Sequence, residues 1–148
     1  MVNELTVLAS IHVLAAVFWV GGGFALNVAM ALAGRQADPG PRLAAFRLAD
    51  LLGLWVFPLL SLIVIATGVW MTEEYYAWDQ LWIVLGLIGA VSAITIGLFY
   101  IRPRAVRAAA GIAAGAAPPP GRNWVPTVAR LNLLLLSAIV VIMVIKPT

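Results

Sequence analysis

The sequence predicts an all-α fold: a polytopic membrane protein built as an antiparallel bundle of four transmembrane helices, with both termini outside. Three observations predict it. Of 148 residues, 64% are hydrophobic and 10% charged, with a mean hydropathy of +1.04, whereas soluble domains carry about 25% charged residues. Four apolar runs reach the roughly 20 residues that a helix needs to cross the hydrocarbon core. The arginines gather in two of the three segments joining those runs.

Lipid offers no partner to a backbone N–H or C=O, so each run is read as a helix rather than an open strand. The first covers about 5–33 and carries small residues every fourth position at Gly21, Ala25, Ala29 and Ala33. The second covers about 48–71, with Pro58 in mid-span, where a missing donor and a ring clash predict a kink. The third, "LWIVLGLIGAVSAITIGLFYI", covers 81–101 and repeats the small-residue spacing at Gly89, Ala93 and Gly97. Such stripes let helices approach closely in lipid. The fourth covers about 124–145 and draws Arg130 and Asn132 into the inner leaflet. Residues 102–123, ending in the Ala/Gly/Pro-rich "AAAGIAAGAAPPPGR", read as a flexible cytoplasmic linker. The two hairpins show no convincing repeat. The chain is thus read as a single four-span membrane domain over 1–148.

Arg35, Arg42 and Arg47 follow the first helix, and Arg102, Arg104, Arg107 and Arg122 follow the third. The positive-inside rule makes both loops cytoplasmic and both termini external, in a bacterial inner (plasma) membrane. The third loop, "EEYYAWDQ" at 73–80, is acidic and aromatic, as an outer interfacial segment would be. Trp55, Trp70, Trp78, Trp82 and Trp124 all fall near span ends, as an aromatic belt requires. The net charge of +3 follows from the arginines at the membrane edges. It points to topology and anionic head groups, not to nucleic acid. "MVNE" lacks the positive region of a signal peptide.

Most chemistry is excluded by composition. With no cysteine and one histidine, thiolate zinc, iron–sulfur clusters, H-E-x-x-H sites and Cys–His pairs have no ligands within one chain. Gly21-Gly22-Gly23 lies inside a span and follows no strand, so it is not a phosphate loop. The single histidine is the sharpest signal. His12 lies in "ASIHVLAAVFWVGGGFAL", about 10 Å inside the outer surface at 1.5 Å per residue. Ala16, Trp19 and Gly23 share its helical face, so an imidazole stands above small side chains with an indole alongside. A neutral imidazole is a common axial ligand of haem iron, and glycine leaves room for a flat macrocycle. The competing readings are a histidine bonded to a neighbouring helix and a proton-handling group.

The stretch "IHVLAAVFWVGGGFALNV" resembles the opening helix of a loose group of small bacterial four-helix integral membrane proteins. That group includes uncharacterised predicted integral membrane proteins, the CopD-type copper-resistance membrane domain and the HemJ-type protoporphyrinogen oxidase. All share a first-helix histidine followed by small and apolar residues, then Trp and Gly, and "IATGVW" at 65–70 extends the likeness. The resemblance to the HemJ-type enzyme implies that His12 ligates haem b, although the lysine which that enzyme carries in a later helix has no counterpart here. Soft copper sites take several Met, Cys or His ligands, whereas this chain has one histidine and four methionines spread along it.

The expected function is therefore a small b-type haem protein of membrane electron transfer. His12 is its metal ligand, and Trp19, Gly22 and Gly23 shape the pocket. Met143, about one turn outward of the His12 level, is a candidate second ligand; a homodimer sharing one haem and a five-coordinate iron are the alternatives. The competing class is a non-catalytic accessory subunit of a larger membrane complex, for which the bilayer and a host protein are the partners. A second polar group near the cytoplasmic face comprises Asn27, Asp50, Arg130 and Asn132, and Asp50 is expected to meet Arg130 there as an ion pair.

Overall fold

The computed structural model describes residues 3–115 and 124–147. Six α-helices and two π-turns form four membrane-crossing rods: Glu4–Ala33, Pro39–Tyr75, Leu81–Ala113 and Val125–Ile145. The first is helix α1 (Glu4–Ala33) and the last is α6 (Val125–Ile145). The second rod is α2 (Pro39–Leu51), a π-turn (Leu52–Val56) and α3 (Phe57–Tyr75); the third is α4 (Leu81–Thr95), a π-turn (Ile96–Ile101) and α5 (Arg102–Ala113). No strand occurs among the described residues. The start of α1, the end of α3, the start of α4 and the end of α6 share one end of the bundle, here the terminal end. The other is the arginine end.

Side chains cap the first two rods where they begin. Asn3 Oδ1 accepts the Thr6 amide at 2.8 Å, and Asp38 Oδ1 accepts the Gly40 amide at 2.9 Å, with Pro39 in the first turn where no donor is missed. Large apolar residues cover the outside, among them Phe18, Phe99 and Leu134. In water this surface would be untenable; against lipid it is the expected exterior. The interior is correspondingly built from small residues. Gly86, Gly89, Ala90 and Ala93 make the buried face of α4, and Ile139 of α6 lies against Gly89 so closely that a Cβ there would come within 2.6 Å of it. Trp19, Ala90, Ala93 and Leu136 form the central buried layer, closed by Phe57, Leu60 and Val64.

Two expectations are corrected. The second and third rods do not stop at the hydrocarbon boundary. At 37 and 33 residues they are about 55 and 50 Å long, against a hydrocarbon core of about 30 Å. Their extensions, α2 and α5, pack together through Phe46, Ala49 and Ala105, with Leu26 and Met30 of α1 alongside. The start of the expected linker, 102–113, is therefore helix, because its alanines bury against α2; the proline-rich stretch 116–123 lies outside the described residues. The kink expected at Pro58 is also resolved into a π-turn. The Phe57 amide bonds to Leu52 O and the Arg102 amide to Gly97 O, each reaching back five residues, and each is followed by a proline, Pro58 or Pro103. A wider turn accommodates the ring that would otherwise strike the carbonyl four residues back.

The two small-residue stripes have different fates. That of α4 receives α6, whereas Gly21 has open space around its Cβ position and Ala25 is exposed. Gly89→Val should therefore lower the thermal unfolding midpoint in detergent by an amount equivalent to about 1–3 kcal/mol. Gly21→Ala should leave it unchanged or raised. Equal effects at the two positions would contradict this packing.

Candidate functional site

His12 is placed by the face that α1 turns inward, between buried Leu8 and Ala15. Its Nδ1 lies 3.0 Å from Thr67 Oγ1 on α3. The Thr67 hydroxyl also stands 2.6 Å from Ile63 O, one turn back on its own helix. A hydroxyl has one proton and a carbonyl can only accept, so the short contact to Ile63 O, with Val64 O at 3.2 Å behind it, assigns that proton to the helix carbonyls rather than to the ring. The lone pair left on Oγ1 then accepts from Nδ1–H of His12. This assignment leaves Nε2 as the unprotonated nitrogen of the neutral ring. Gly68 makes room for the ring: a Cβ there would stand 3.2 Å from His12 Cε1.

His12 lines a cavity of about 70 Å3 toward the terminal end of the bundle, between α1, α3, α4 and α6. Met143 lines the same cavity from α6, so the two side chains that the sequence proposed as ligands share one space. Met143 occupies a notch at Gly86, where any Cβ would overlap its methyl group. Met71 joins them from α3, a residue that sequence reasoning missed because no spacing rule links it to His12. Among the described residues no group of three His, Asp or Glu side chains gathers anywhere in the fold.

Tyr76, Trp78 and Trp82 form the rim of this cavity. The rings of Tyr76 and Trp82 meet edge to face, with centroids 5.3 Å apart. Trp78 donates its indole N–H to Glu73 Oε1 at 2.9 Å. Lys146 Nζ lies 5.0 Å from the Trp82 centroid and 5.4 Å from that of Tyr76. Its backbone is left-handed, with φ +50°, the only such non-glycine residue among those described. That conformation caps the C-terminus of α6, with the Lys146 N–H bonded to Ile142 O at 2.9 Å.

The remaining residues proposed for the pocket lie elsewhere. Trp19 and Gly23 share the helical face of His12 but sit 7 and 11 residues along, about 10 and 16 Å deeper. They line a second cavity of about 90 Å3 toward the arginine end. Gly22 packs against Phe57, whose Cε1 would stand 3.1 Å from an added Cβ. The inner polar group is also rearranged. Asp50 pairs with Arg102, Oδ1 to Nε at 2.9 Å, rather than with Arg130, which is exposed. Asp50 lies just before the first π-turn and Arg102 directly follows the second, and Gly53 packs on the Arg102 stem. Asn27 and Asn132 line the inner cavity with Arg102; Asn27 Nδ2 donates to Gly23 O at 2.9 Å, while Asn132 Oδ1 is buried with no donor among the described residues.

Four long apolar rods with an exposed apolar exterior define the class: a polytopic integral membrane protein. Residues 6–147 match the family described as Predicted integral membrane protein (DUF2269), and the chain belongs to it. No curated protein and no solved structure matches the chain.

The ion pair is partly exposed, so its coupling should be modest. A double-mutant cycle of Asp50→Asn with Arg102→Gln should give about 1 kcal/mol of interaction in thermal or denaturant unfolding. The same cycle with Arg130→Gln should be additive. The opposite assignment would overturn the pairing.

Proposed function

We propose that this protein serves electron transfer in the bacterial plasma membrane through a metal centre on His12, with haem b as the bound group. The observation that carries the reading is the committed Nδ1 of His12. A ligating histidine characteristically gives its other ring N–H to an oxygen that fixes its tautomer and orientation, and Thr67 accepts that proton here. The second support is Met143, a thioether lining the same cavity, since histidine and methionine together make a recognised axial pair for haem iron. Haem supplies a one-electron couple when bound.

The donor chemistry fits the group, but the size of the space does not. An engineered cavity of about 150 Å3 takes one benzene, and this one measures about 70 Å3. A four-ring macrocycle needs Met143 to leave its notch and the rim to part. No step is therefore routed through haem here. What the chain's own residues do is present Nε2, orient it through Thr67, and surround it with apolar walls. In this reading the arginine end is cytoplasmic, as the positive-inside rule suggests, and His12 belongs to the outer half of the bilayer.

One observation favours a second reading, an accessory subunit or homodimer: the Gly21/Ala25 face of α1 is unused within the bundle. Absorption spectroscopy separates the two. Protein made with ample haem should show a Soret band that His12→Ala abolishes and that Thr67→Val weakens, with haem affinity falling roughly 10- to 100-fold. A wild-type protein without a Soret band under those conditions ends the haem reading and leaves the accessory role.

A further inference from the structure

Each π-turn frees one backbone carbonyl. Along a regular helix the carbonyl of Gly53 would be served by an amide four or five residues on. The first of these is Phe57, whose N–H is given to Leu52 O; the second is Pro58, which has no N–H. The second π-turn does the same. The donors due to Leu98 O are the Arg102 amide, given to Gly97 O, and Pro103, again without an N–H. Gly53 and Leu98 both line the inner cavity of about 90 Å3. A third acceptor stands there on α6: Asn132 Oδ1, buried and without a donor among the described residues. The other amide on the wall, Asn27, directs Nδ2 to Gly23 O instead. A buried acceptor left bare is costly, above all in a bundle surrounded by lipid.

We propose that the inner cavity is a water site, in which ordered water molecules donate to Asn132 Oδ1 and to the carbonyls of Gly53 and Leu98. The chemistry of the wall selects water over other donors. Arg102 lines the cavity and no carboxylate does, Asp50 meeting the guanidinium at Nε, so a metal cation is disfavoured. The space of about 90 Å3 is less than the roughly 150 Å3 that takes one benzene, but several times the roughly 10–15 Å3 that one water needs. Water also accepts, so the same molecules can take the N–H groups that Arg102 has beyond its bond to Asp50. Freed backbone groups at membrane depth are characteristically satisfied by ordered water in this way. The buried layer of Trp19, Ala90, Ala93 and Leu136 separates this site from the His12 cavity. The water site does not depend on what His12 binds.

The chain has no cysteine, so one introduced thiol reports its own surroundings. The thiolate is the reactive form, and apolar surroundings raise the thiol pKa, at about tenfold less thiolate per pKa unit. Leu133 lines the inner cavity, whereas Leu134, one residue on and at nearly the same depth, is exposed on the outer apolar surface. Ile139 packs against Gly89. Full-length Leu133→Cys, Leu134→Cys and Ile139→Cys in lipid vesicles are treated with methyl methanethiosulfonate, and labelling is followed by intact mass. Leu133→Cys should react about tenfold or more faster than the other two; the Ile139 variant controls for the space that a shortened side chain opens. Adding Asn132→Leu to Leu133→Cys should slow labelling about threefold or more, because the water loses a polar partner. A Leu133→Cys rate no faster than either control would overturn the water site, as would an Asn132→Leu change that leaves the rate as it was.

Discussion

A hydroxyl proton inside an apolar bundle has very few acceptors, and the one on Thr67 determines the character of the site. Buried Ser61, Thr67 and Thr72 each give their proton to a carbonyl one turn back, at 2.8, 2.6 and 2.8 Å. That habit spares a helix in lipid any unsatisfied side chain. Thr67 differs from the others in having an imidazole on its remaining lone pair. That contact sets the protonation of Nδ1, the free lone pair on Nε2, and the use of Gly68 rather than a larger residue beside the ring. The outer cavity, its methionines and its aromatic rim are arranged around an imidazole already committed to one orientation.

The rest of the bundle keeps two polar regions apart. Between the His12 cavity and the Asn27–Asn132 cavity lies the layer of Trp19, Ala90, Ala93 and Leu136, apolar and almost wholly buried. Small residues on α4 allow this layer to be thin, because they bring α6 close enough for Ile139 and Met143 to seat against glycine. Toward the arginine end, the Asp50–Arg102 contact lies beside the paired π-turns, and α2 and α5 continue beyond it as a packed pair.

Much of this is legible in the sequence. Apolar run length alone places four spans, since a 20-residue requirement is hard to meet by accident. His12 is conspicuous because nothing else near it ionises, and helical rise alone sets Met143 near its level. Facing and depth are less legible. Trp19 and Gly23 obey the periodicity that puts them below His12, but periodicity does not say that a packed layer intervenes. Arg130 suggests itself for Asp50 because both descend from the same side. The actual partner depends on the π-turns, each of which inserts a residue and rotates the remainder of its rod by about 100°. No propensity in "LGLWV" or "IGLFYI" announces such a turn; a proline one or two residues on, at Pro58 and Pro103, is the available signal. The helix of 102–113 is hidden because alanine and arginine read as linker until α2 is there to bury the alanines.

The central claim is that His12 carries its proton on Nδ1 and offers Nε2. Because the chain has one histidine, nitrogen NMR of haem-free protein labelled at that residue type gives one pair of ring signals with no assignment problem. The account predicts a protonated-type shift for Nδ1 and a bare, lone-pair shift for Nε2, with Thr67→Val collapsing the distinction toward the averaged tautomers of a free imidazole. A proton on Nε2 in the wild-type protein, with Nδ1 bare, would contradict it.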